Sequence, residues 1–171
     1  MRRHRTRTLA AIAAVGALIG AALIFVPARA TPSKDVATTI LAQSLFDELH
    51  VNAHTRIPEP WKAKLRTHGQ SDRYVVDNKF AAGGATGWHS HPGPSLILVV
   101  TGTVTNYLGD DPSCTPHAYT AGAGFVDPGG GDVHLLRNET GAPAETIAVQ
   151  LLPRGAERRI DVPVAPGNCP F

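Results

Sequence analysis

The stretch GWHSHPGPSLILVVTG, residues 87–102, places two histidines one residue apart directly before an apolar run. Side chains at positions i and i+2 of a strand share a face, so His89 and His91 are predicted to point the same way, away from Trp88 and Ser90. Two imidazoles on one face can bind neighbouring positions of a single metal ion. The pair alone is a weak signal, because a chain with eight histidines often contains this spacing by chance.

A second stretch, GAGFVDPGGGDVHLLRN at residues 122–138, carries a third histidine on a short apolar segment. Pro128 and the glycines after it predict a turn just before His134, and Asn138 stands four residues further on. Glycine turns allow two backbones to approach closely. The two stretches therefore predict three histidines carried by two neighbouring strands.

Together the two stretches resemble the two motifs of the cupin family, small β-barrels of the jelly-roll type. In the first motif a glycine precedes H-x-H, a glutamate follows, and a glycine closes; Gly83 and Gly102 match these glycines. The second motif is matched, with one extra residue before its histidine, by Gly122, Pro128, Gly130, His134 and Asn138. The resemblance implies an all-β, single-domain jelly-roll barrel that binds a divalent transition metal through His89, His91 and His134. It leaves open whether the ion is Fe, Zn, Mn, Ni or Cu.

This sequence departs from the first motif at the glutamate. The segment PGPSLI holds no acidic residue where the motif would place it, near Pro94 or Ser95. A neutral serine is a poor ligand for a divalent cation. The sequence therefore predicts three neutral imidazoles, with the remaining coordination positions open to water or substrate. Such a site keeps the full charge of its ion and favours an anionic ligand.

Four further residues are candidates for contacts around the metal or in the cavity. Asp132 shares strand parity with His134 and either orients its imidazole or belongs to the glycine turn. Gln150 interrupts the apolar IAVQLL and Tyr107 ends TVTNYL; each either presents a polar group to the cavity or faces solvent. The resemblance makes Asn138 a structural residue near the turn.

Short strands separated by Gly and Pro dominate the chain from residue 72 onward. Strand-sized segments are RYVVDNKF, SLILVV, TVTNYL, GFVDP, DVHLLRN and TIAVQLL. Regular short strands with such turns predict an all-β sandwich or barrel. SLILVV is apolar throughout and is predicted to be a central strand buried on both faces. Further upstream, WKAKLRT alternates as a strand does, whereas ILAQSLFDELHVNAHT fits a helix and a strand about equally.

The first thirty residues have the order of a secretory signal. A basic MRRHRTRT precedes an apolar run at residues 9–26 and the small residues Ala28 and Ala30. An uncleaved membrane anchor over residues 9–26 is the alternative, since the run is near the length that spans a bilayer. The rest divides into an N-terminal extension that packs on the barrel (31–70), the barrel (71–153) and an extended C-terminal tail (154–171).

Removal of residues 1–30 reverses the sign of the net charge. Eleven Lys and Arg then face fourteen Asp and Glu, about −3 in all, which argues against nucleic-acid binding. The expected partners are a small-molecule ligand and, by family resemblance, a second copy in a homodimer; membrane contact is expected only through an uncleaved N-terminal segment. Cys114 and Cys169 both lie in the exported part and predict a disulfide that ties the tail to the barrel.

Three functions are consistent with these patterns. The first is an exported Fe(II)- and O₂-dependent oxidoreductase of the dioxygenase type, acting on a small organic molecule. The second is a non-catalytic module that binds a metal or a small ligand. The third, a metal-assisted isomerase or hydrolase, needs a general base, for which only Asp127, Asp132 or Tyr107 is available. The sequence does not separate the oxidoreductase from the binding module, because iron and zinc both accept three imidazoles.

Overall fold

The computed structural model describes residues 31–56 and 59–171, and within them every regular element is a β-strand. The predicted all-β class is confirmed. The signal segment predicted at residues 1–30 lies outside the described residues. The strands are β1 (Lys34–Phe46), β2 (His50–Thr55), β3 (Trp61–Arg66), β4 (Ser71–Ala85), β5 (His89–Ser90), β6 (Ser95–Thr101), β7 (Thr103–Leu108), β8 (His117–Thr120), β9 (Gly124–Asp127), β10 (His134–Arg137), β11 (Ala144–Pro153) and β12 (Ile160–Asp161).

The strands build a nearly closed antiparallel barrel from two curved layers. One layer has the order β1-β4-β11-β6-β9, and the other has the order β12-β5-β10-β7-β8. The layers join where Arg137 of β10 pairs with Ala85 at the end of the long strand β4. Strands β2 and β3 pair only with each other and form a separate hairpin. The predicted jelly-roll barrel is confirmed by this arrangement.

The interior of the barrel follows from strict alternation along β11, which pairs with β4 on one side and β6 on the other. Residues facing inward on this strand are buried, and those between them are only partly buried. Ala144 pairs with Phe80, and Ala148 pairs with both Val76 and Ile97. Because side chains on paired residues share a face, these rows stack across the barrel as its apolar core. Each large apolar side chain buried here stabilises the fold by about 1.5–3 kcal/mol.

Strand β6 corrects one prediction. SLILVV was expected to be buried on both faces, but its burial alternates, and Leu96, Leu98 and Val100 are each about half exposed at 56%, 49% and 47%. Only Ser95, Ile97 and Val99 face the interior. The prediction was wrong because an unbroken apolar run does not show whether a second layer covers the outer face of the sheet. In the described residues no such layer lies over β6.

The ambiguous segment ILAQSLFDELHVNAHT consists of extended strands in the structure. Strand β1 runs antiparallel to β4 along almost its whole length, with register shifts near Lys34 and Ile40. The helical interpretation of ILAQSLF is therefore wrong, because pairing with β4 satisfies the backbone groups of this segment as a strand. The alternating WKAKLRT is confirmed as strand β3. Within residues 31–56 and 59–171, no helix is long and apolar enough to span a membrane.

The C-terminal tail lies on the outside of the second layer. Cys114 and Cys169 form a disulfide across 55 residues of chain. Both cysteines pack against a small apolar cluster of Trp88, Tyr107 and Leu135. Earlier in the tail, β12 pairs with β5, which holds residues 158–161 beside the histidine strand. The tail is thus part of the wall next to the two histidines of the first stretch.

Candidate metal centre

The first two histidines are held at the open end of the barrel by strand β5 and the turn after it. His89 and His91 are both buried, at 4% and 5% exposure. Trp88 is also buried, but it packs on the opposite side with Tyr107 and Leu135, as its strand parity requires. This packing anchors the backbone of β5. The two imidazoles consequently face the interior, with ring centroids 4.9 Å apart.

The third histidine, His134, lies beside the first two because the loop before it crosses the loop that follows β5. His134 pairs directly with His89 in the sheet. Gly129 has a left-handed φ of 68°, and a Cβ there would collide with the backbone of Gly93, so only glycine allows this crossing. The N–H of Gly131 also donates to the carbonyl of His91, at 3.4 Å. The glycines of the second stretch therefore dock it against the first.

Hydrogen bonds to backbone carbonyls determine which ring nitrogen can bind a metal. His89 Nδ1 lies 2.8 Å from the Gly87 carbonyl, and His91 Nδ1 lies 2.6 Å from the Arg158 carbonyl. A carbonyl oxygen can only accept, so each Nδ1 carries the proton and donates. The lone pair of each ring is then on Nε2. Backbone carbonyls that hold Nδ1–H in this way are the usual support of metal-binding histidines.

The three histidines meet the requirements of a metal site. One nitrogen from each ring lies within 4.8 Å of the other two. All three residues are buried, and imidazole nitrogen is a favourable ligand for Zn, Cu, Fe and Ni. Among the described residues, these three histidines are the only group of histidine, cysteine or acidic side chains that converges closely enough to hold an ion. The donor set and its burial fit a divalent transition metal.

Burial keeps these imidazoles neutral, which is the form that binds metal. It lowers the pKa of His134 to about 4, although the nearby Asp127 carboxylate raises it in part. The pKa of His89 is also well below its usual range, first through burial and then through the neighbouring His134. For His91, burial lowers the pKa and the hydrogen bond to the Arg158 carbonyl partly opposes that effect. The three rings are therefore available as ligands at neutral pH.

A buried carboxylate lies beside His134, although residues 87–102, which match the first motif, contain no acidic residue. Asp127, at the end of β9, pairs in register with Ser95, and its Oδ1 lies 3.7 Å from His134 Nδ1. This distance exceeds a hydrogen bond, so the interaction is an electrostatic attraction. The same Oδ1 accepts the N–H of Gly129 at 3.0 Å. Asp127 lies outside the converging histidine cluster, and its position favours orienting His134 over binding the metal.

The histidines open onto a cavity of about 280 Å³ inside the barrel. Ser95 and Gln150, both candidates from the sequence, line it and pair with each other across β6 and β11. Gln150 is 2% exposed and donates through Nε2 to Ser95 Oγ at 3.1 Å. Its Nε2 also lies 3.4 Å from His91 Nδ1. The structure thus brings these two polar side chains next to the histidines.

Two residues that the sequence analysis missed also line this cavity, Arg158 and Arg159. The Arg158 guanidinium donates to Gln150 Oε1 at 3.2 Å, and Arg159 donates to the Thr86 carbonyl at 2.6 Å. Arg159 is also ion-paired with the half-exposed Asp161. No motif marks these arginines, because only the pairing of β12 with β5 brings the tail to the cavity.

The other three candidate residues lie away from the cavity. Asp132 is exposed in the glycine turn. Asn138 is 1% exposed and binds backbone: its amide donates to the carbonyls of Ala81 and Ala142, as expected of a structural residue. Tyr107 packs on the outer side of the second layer, and its hydroxyl donates to Glu139. The structure therefore does not bring these three side chains to the histidines.

Comparisons with known proteins agree with this geometry. Residues 78–150 match the family model of the cupin domain. A comparison with curated protein sequences found no match. A polyketide cyclase from Streptomyces resistomycificus is similar in structure, with a TM-score of 0.51, 16% identity, and 78% of this chain and 75% of that chain covered.

Two other solved structures are similar at lower TM-scores. A cupin superfamily protein from Desulfitobacterium hafniense has a TM-score of 0.46 and 15% identity, with 68% of this chain and 77% of that chain covered. A cupin-2 domain protein from Rhodospirillum rubrum has a TM-score of 0.48 and 10% identity, with 75% and 66% covered. The matched domain spans the barrel strands that carry His89, His91 and His134. Residues 78–150, which contain both histidine stretches, therefore form a cupin domain.

Proposed function

We propose that this protein is an exported, metal-dependent oxidoreductase that uses O₂ to oxidise a small organic molecule. One observation carries the proposal: three buried, neutral histidines converge at the mouth of an internal cavity. Three protein ligands leave coordination positions for other molecules, as in catalytic rather than structural metal sites. A cavity of about 280 Å³ is at the lower end for small-molecule sites, so the substrate is small.

The residues around the cavity have distinct roles in this proposal. His89, His91 and His134 hold the metal, which when bound supplies Lewis acidity and, if redox-active, electrons. Asp127 fixes the orientation of the His134 ring through its buried carboxylate. Gln150, held by its bond to Ser95, presents its amide beside His91. These side chains order the site before a ligand arrives, which lowers the cost of binding.

The export part of the proposal is supported by the disulfide. Cys114 and Cys169 are joined, and no free cysteine is present in the described residues. Disulfides persist in oxidising compartments outside the cytoplasm. The basic and apolar order of residues 1–30 agrees with export through a secretory signal.

The same disulfide favours a second candidate, a non-catalytic module that binds a metal or small ligand. Ferrous iron is hard to maintain in an oxidising compartment, which shifts the expected occupant toward zinc or copper. The isomerase or hydrolase has less support than either, because it needs a general base near the metal. Tyr107 and Asp132 lie away from the histidines, which leaves only Asp127, whose Oδ1 accepts the N–H of Gly129 and lies beside the ligand His134.

The test begins with metal analysis of the purified protein alongside His89→Ala and His134→Ala. Each variant removes one of three ligands, so wild type should carry close to one metal per chain and the variants far less. His54→Ala is the matched control, because His54 is exposed on the β2–β3 hairpin. Equal, sub-stoichiometric metal in wild type and in both variants would contradict the metal site itself.

Oxygen consumption then separates the two candidates. Wild type reconstituted with Fe(II) is assayed against small carboxylic acids, diketones and phenols, with His134→Ala as the inactive control. Uptake of O₂ that depends on both substrate and His134 supports the oxidoreductase. Stoichiometric metal without any such uptake supports the binding module.

A further inference from the structure

The cavity lining carries more positive than negative charge. Its lining includes two arginines, Arg158 and Arg159, and a single acidic residue, Asp127. The Oδ1 of Asp127 accepts the N–H of Gly129 and approaches His134, whereas its Oδ2 has no hydrogen-bond partner among the described residues. Both arginines lie close enough to the histidines for their positive charges to lower the pKa of His91, although burial is the larger cause. A bound divalent ion would add further positive charge to the same space.

Arg158 in particular has no anionic partner in the part of the chain that the structure describes. Its side chain is half-buried, and within the described residues it forms no ion pair and one side-chain hydrogen bond, to Gln150 Oε1. A guanidinium has five N–H donors, and burial without a counter-charge is unfavourable. Burial and the like charge of Arg159 lower the pKa of Arg158, and Tyr74, which opposes them, is not a carboxylate. Arg159, in contrast, already has Asp161.

The rest of the cavity is suited to an apolar body. Val76, Ile97 and Ala148 form a buried apolar cluster on the cavity wall. Beyond them on β11 lies Thr146, whose hydroxyl is fully buried and has no hydrogen-bond partner among the described residues. Because an unpaired buried hydroxyl is costly, it is a natural site for one more polar contact from a ligand.

We propose that the cavity binds a small carboxylic acid with an apolar body, whose carboxylate pairs with the guanidinium of Arg158. Gln150 fixes that guanidinium through the hydrogen bond to its Oε1, and the tail strand β12 holds the backbone beside the histidines. Arginine matches a carboxylate with two parallel hydrogen bonds, so the pairing is both strong and directional. The inference rests on the proposed function only for the positive charge that a bound metal would add. Arg158 lines the cavity whether or not an ion is bound.

The test compares benzoate with its neutral analogue benzamide by isothermal titration calorimetry. Both ligands have the same flat apolar ring, so the difference between them reports the carboxylate. Titrations are run on EDTA-treated and on Zn²⁺-loaded protein, for wild type, Arg158→Gln and Arg158→Lys. Arg154→Gln is the matched control, because Arg154 is exposed on the same segment and binds Gln70 outside the cavity.

In both metal states, wild type is expected to bind benzoate at least about tenfold more tightly than benzamide, a difference of about 1.4 kcal/mol. Arg158→Gln should remove that preference without changing benzamide affinity, zinc content or thermal stability. Arg158→Lys keeps the charge but loses the paired geometry, and should lose part of the preference. Arg154→Gln should behave as wild type.

Two results would overturn the inference: wild type that binds benzoate no better than benzamide, or Arg158→Gln and Arg158→Lys that both keep the full preference. Stoichiometric zinc with either result would leave the metal proposal intact. A wild type that prefers benzoate but holds no metal would support the carboxylate site and contradict the metal-dependent function. The two proposals therefore fail independently.

Discussion

The two ends of the barrel interior are lined by the same strands, but one end is apolar and the other is polar. At one end Phe80, Val99 and Val104 are at most 3% exposed and form an apolar cluster. At the other end Ser95 and Gln150 are equally buried, at 2% each, and stand beside the histidines. The change occurs along single strands: β11 runs from Ala144, opposite Phe80, to Gln150, opposite Ser95.

The difference separates stability from function within one core. At the end of the barrel lined by Phe80, apolar side chains stabilise the fold through burial. Buried polar groups, in contrast, cost free energy unless they are hydrogen-bonded. At the histidine end, Asp127 Oδ2 and His134 Nδ1 are buried without a hydrogen-bond partner among the described residues. This end is therefore expected to be the less stable one without metal, and binding there should restore stability.

The largest loss of stability is expected from a substitution at the apolar end of the barrel, which Phe80 lines. Phe80→Ala removes a side chain that is 1% exposed and should lower the free energy of unfolding by about 3–5 kcal/mol, because it loses apolar burial and leaves a cavity. Urea denaturation measures this loss. Metal binding by the remaining folded protein should be nearly unchanged. A loss of metal affinity with little loss of stability would contradict the separation between the two ends.

At the histidine end, stability should depend on pH in the metal-free protein. Burial lowers the pKa of His134 to about 4, below its unfolded value near 6.5, so between these values the unfolded chain binds more protons. Stability is then fully present above pH 6.5 and falls as pH decreases toward 4, by about 3 kcal/mol for this one group. Urea denaturation from pH 7.5 to 4.5 measures the fall.

His134→Gln is the control for that pH dependence, since other groups also titrate in this range. The variant lacks the imidazole, so its stability should change less steeply with pH than that of wild type. Parallel profiles for wild type and variant would show that His134 does not contribute. EDTA-treated protein is needed, because bound metal would compete with the proton for the same ring.

Loss of a ligand should affect metal affinity rather than stability. His89→Ala should weaken Zn²⁺ binding at least about 100-fold, because two imidazoles remain and replacing even a residue that only supports a ligand costs 10–100-fold. Competition with a chromogenic chelator measures the affinity. His117→Ala, an exposed histidine on β8, should bind zinc as wild type does. Similar affinities for the two variants would contradict the role of His89.

Most of the fold could be predicted from the sequence because its signals are local. Turn glycines and short apolar strands indicate a barrel, and the spacing of His89 and His91 fixes their common face. Two features could not be read this way. The half-exposed outer face of β6 depends on whether another layer covers it, and the pairing of β1 with β4 depends on contacts 25 or more residues apart.

The site was predicted in part for the same reason. The pattern of its stretch predicted His134, the position expected for the motif's glutamate pointed to Ser95, and Gln150 stood out because it interrupts the apolar IAVQLL. Arg158 was missed because its position depends on β12 pairing with β5, which no local pattern in RRIDV indicates. Strand parity allowed Asp132 as a partner of His134, with a place in the glycine turn as the alternative; in the structure β10 begins only at His134, and Asp132 is exposed in the turn.

Asp127 and Asp132 provide the finest test of how the histidine end is ordered. Asp127 ends β9 and Asp132 lies in the loop between β9 and His134, but Asp127 is 6% exposed and 3.7 Å from the Nδ1 of His134, whereas Asp132 is exposed. Asp127→Asn keeps an oxygen for the N–H of Gly129 and removes only the charge, so the fold should persist. Zinc affinity should fall about tenfold, because the carboxylate no longer orients His134 or raises its basicity.

Asp132→Asn also removes one carboxylate charge, from the loop that follows β9, and should leave zinc affinity unaltered. Chelator competition measures both variants side by side, and circular dichroism checks that each retains the barrel. If Asp132→Asn weakens zinc binding and Asp127→Asn does not, the parity argument from the sequence was right and the buried carboxylate has another role. The expected result would instead place the support of His134 on Asp127, whose strand β9 pairs with β6 at Ser95, close to where the first motif would place the glutamate that this sequence lacks.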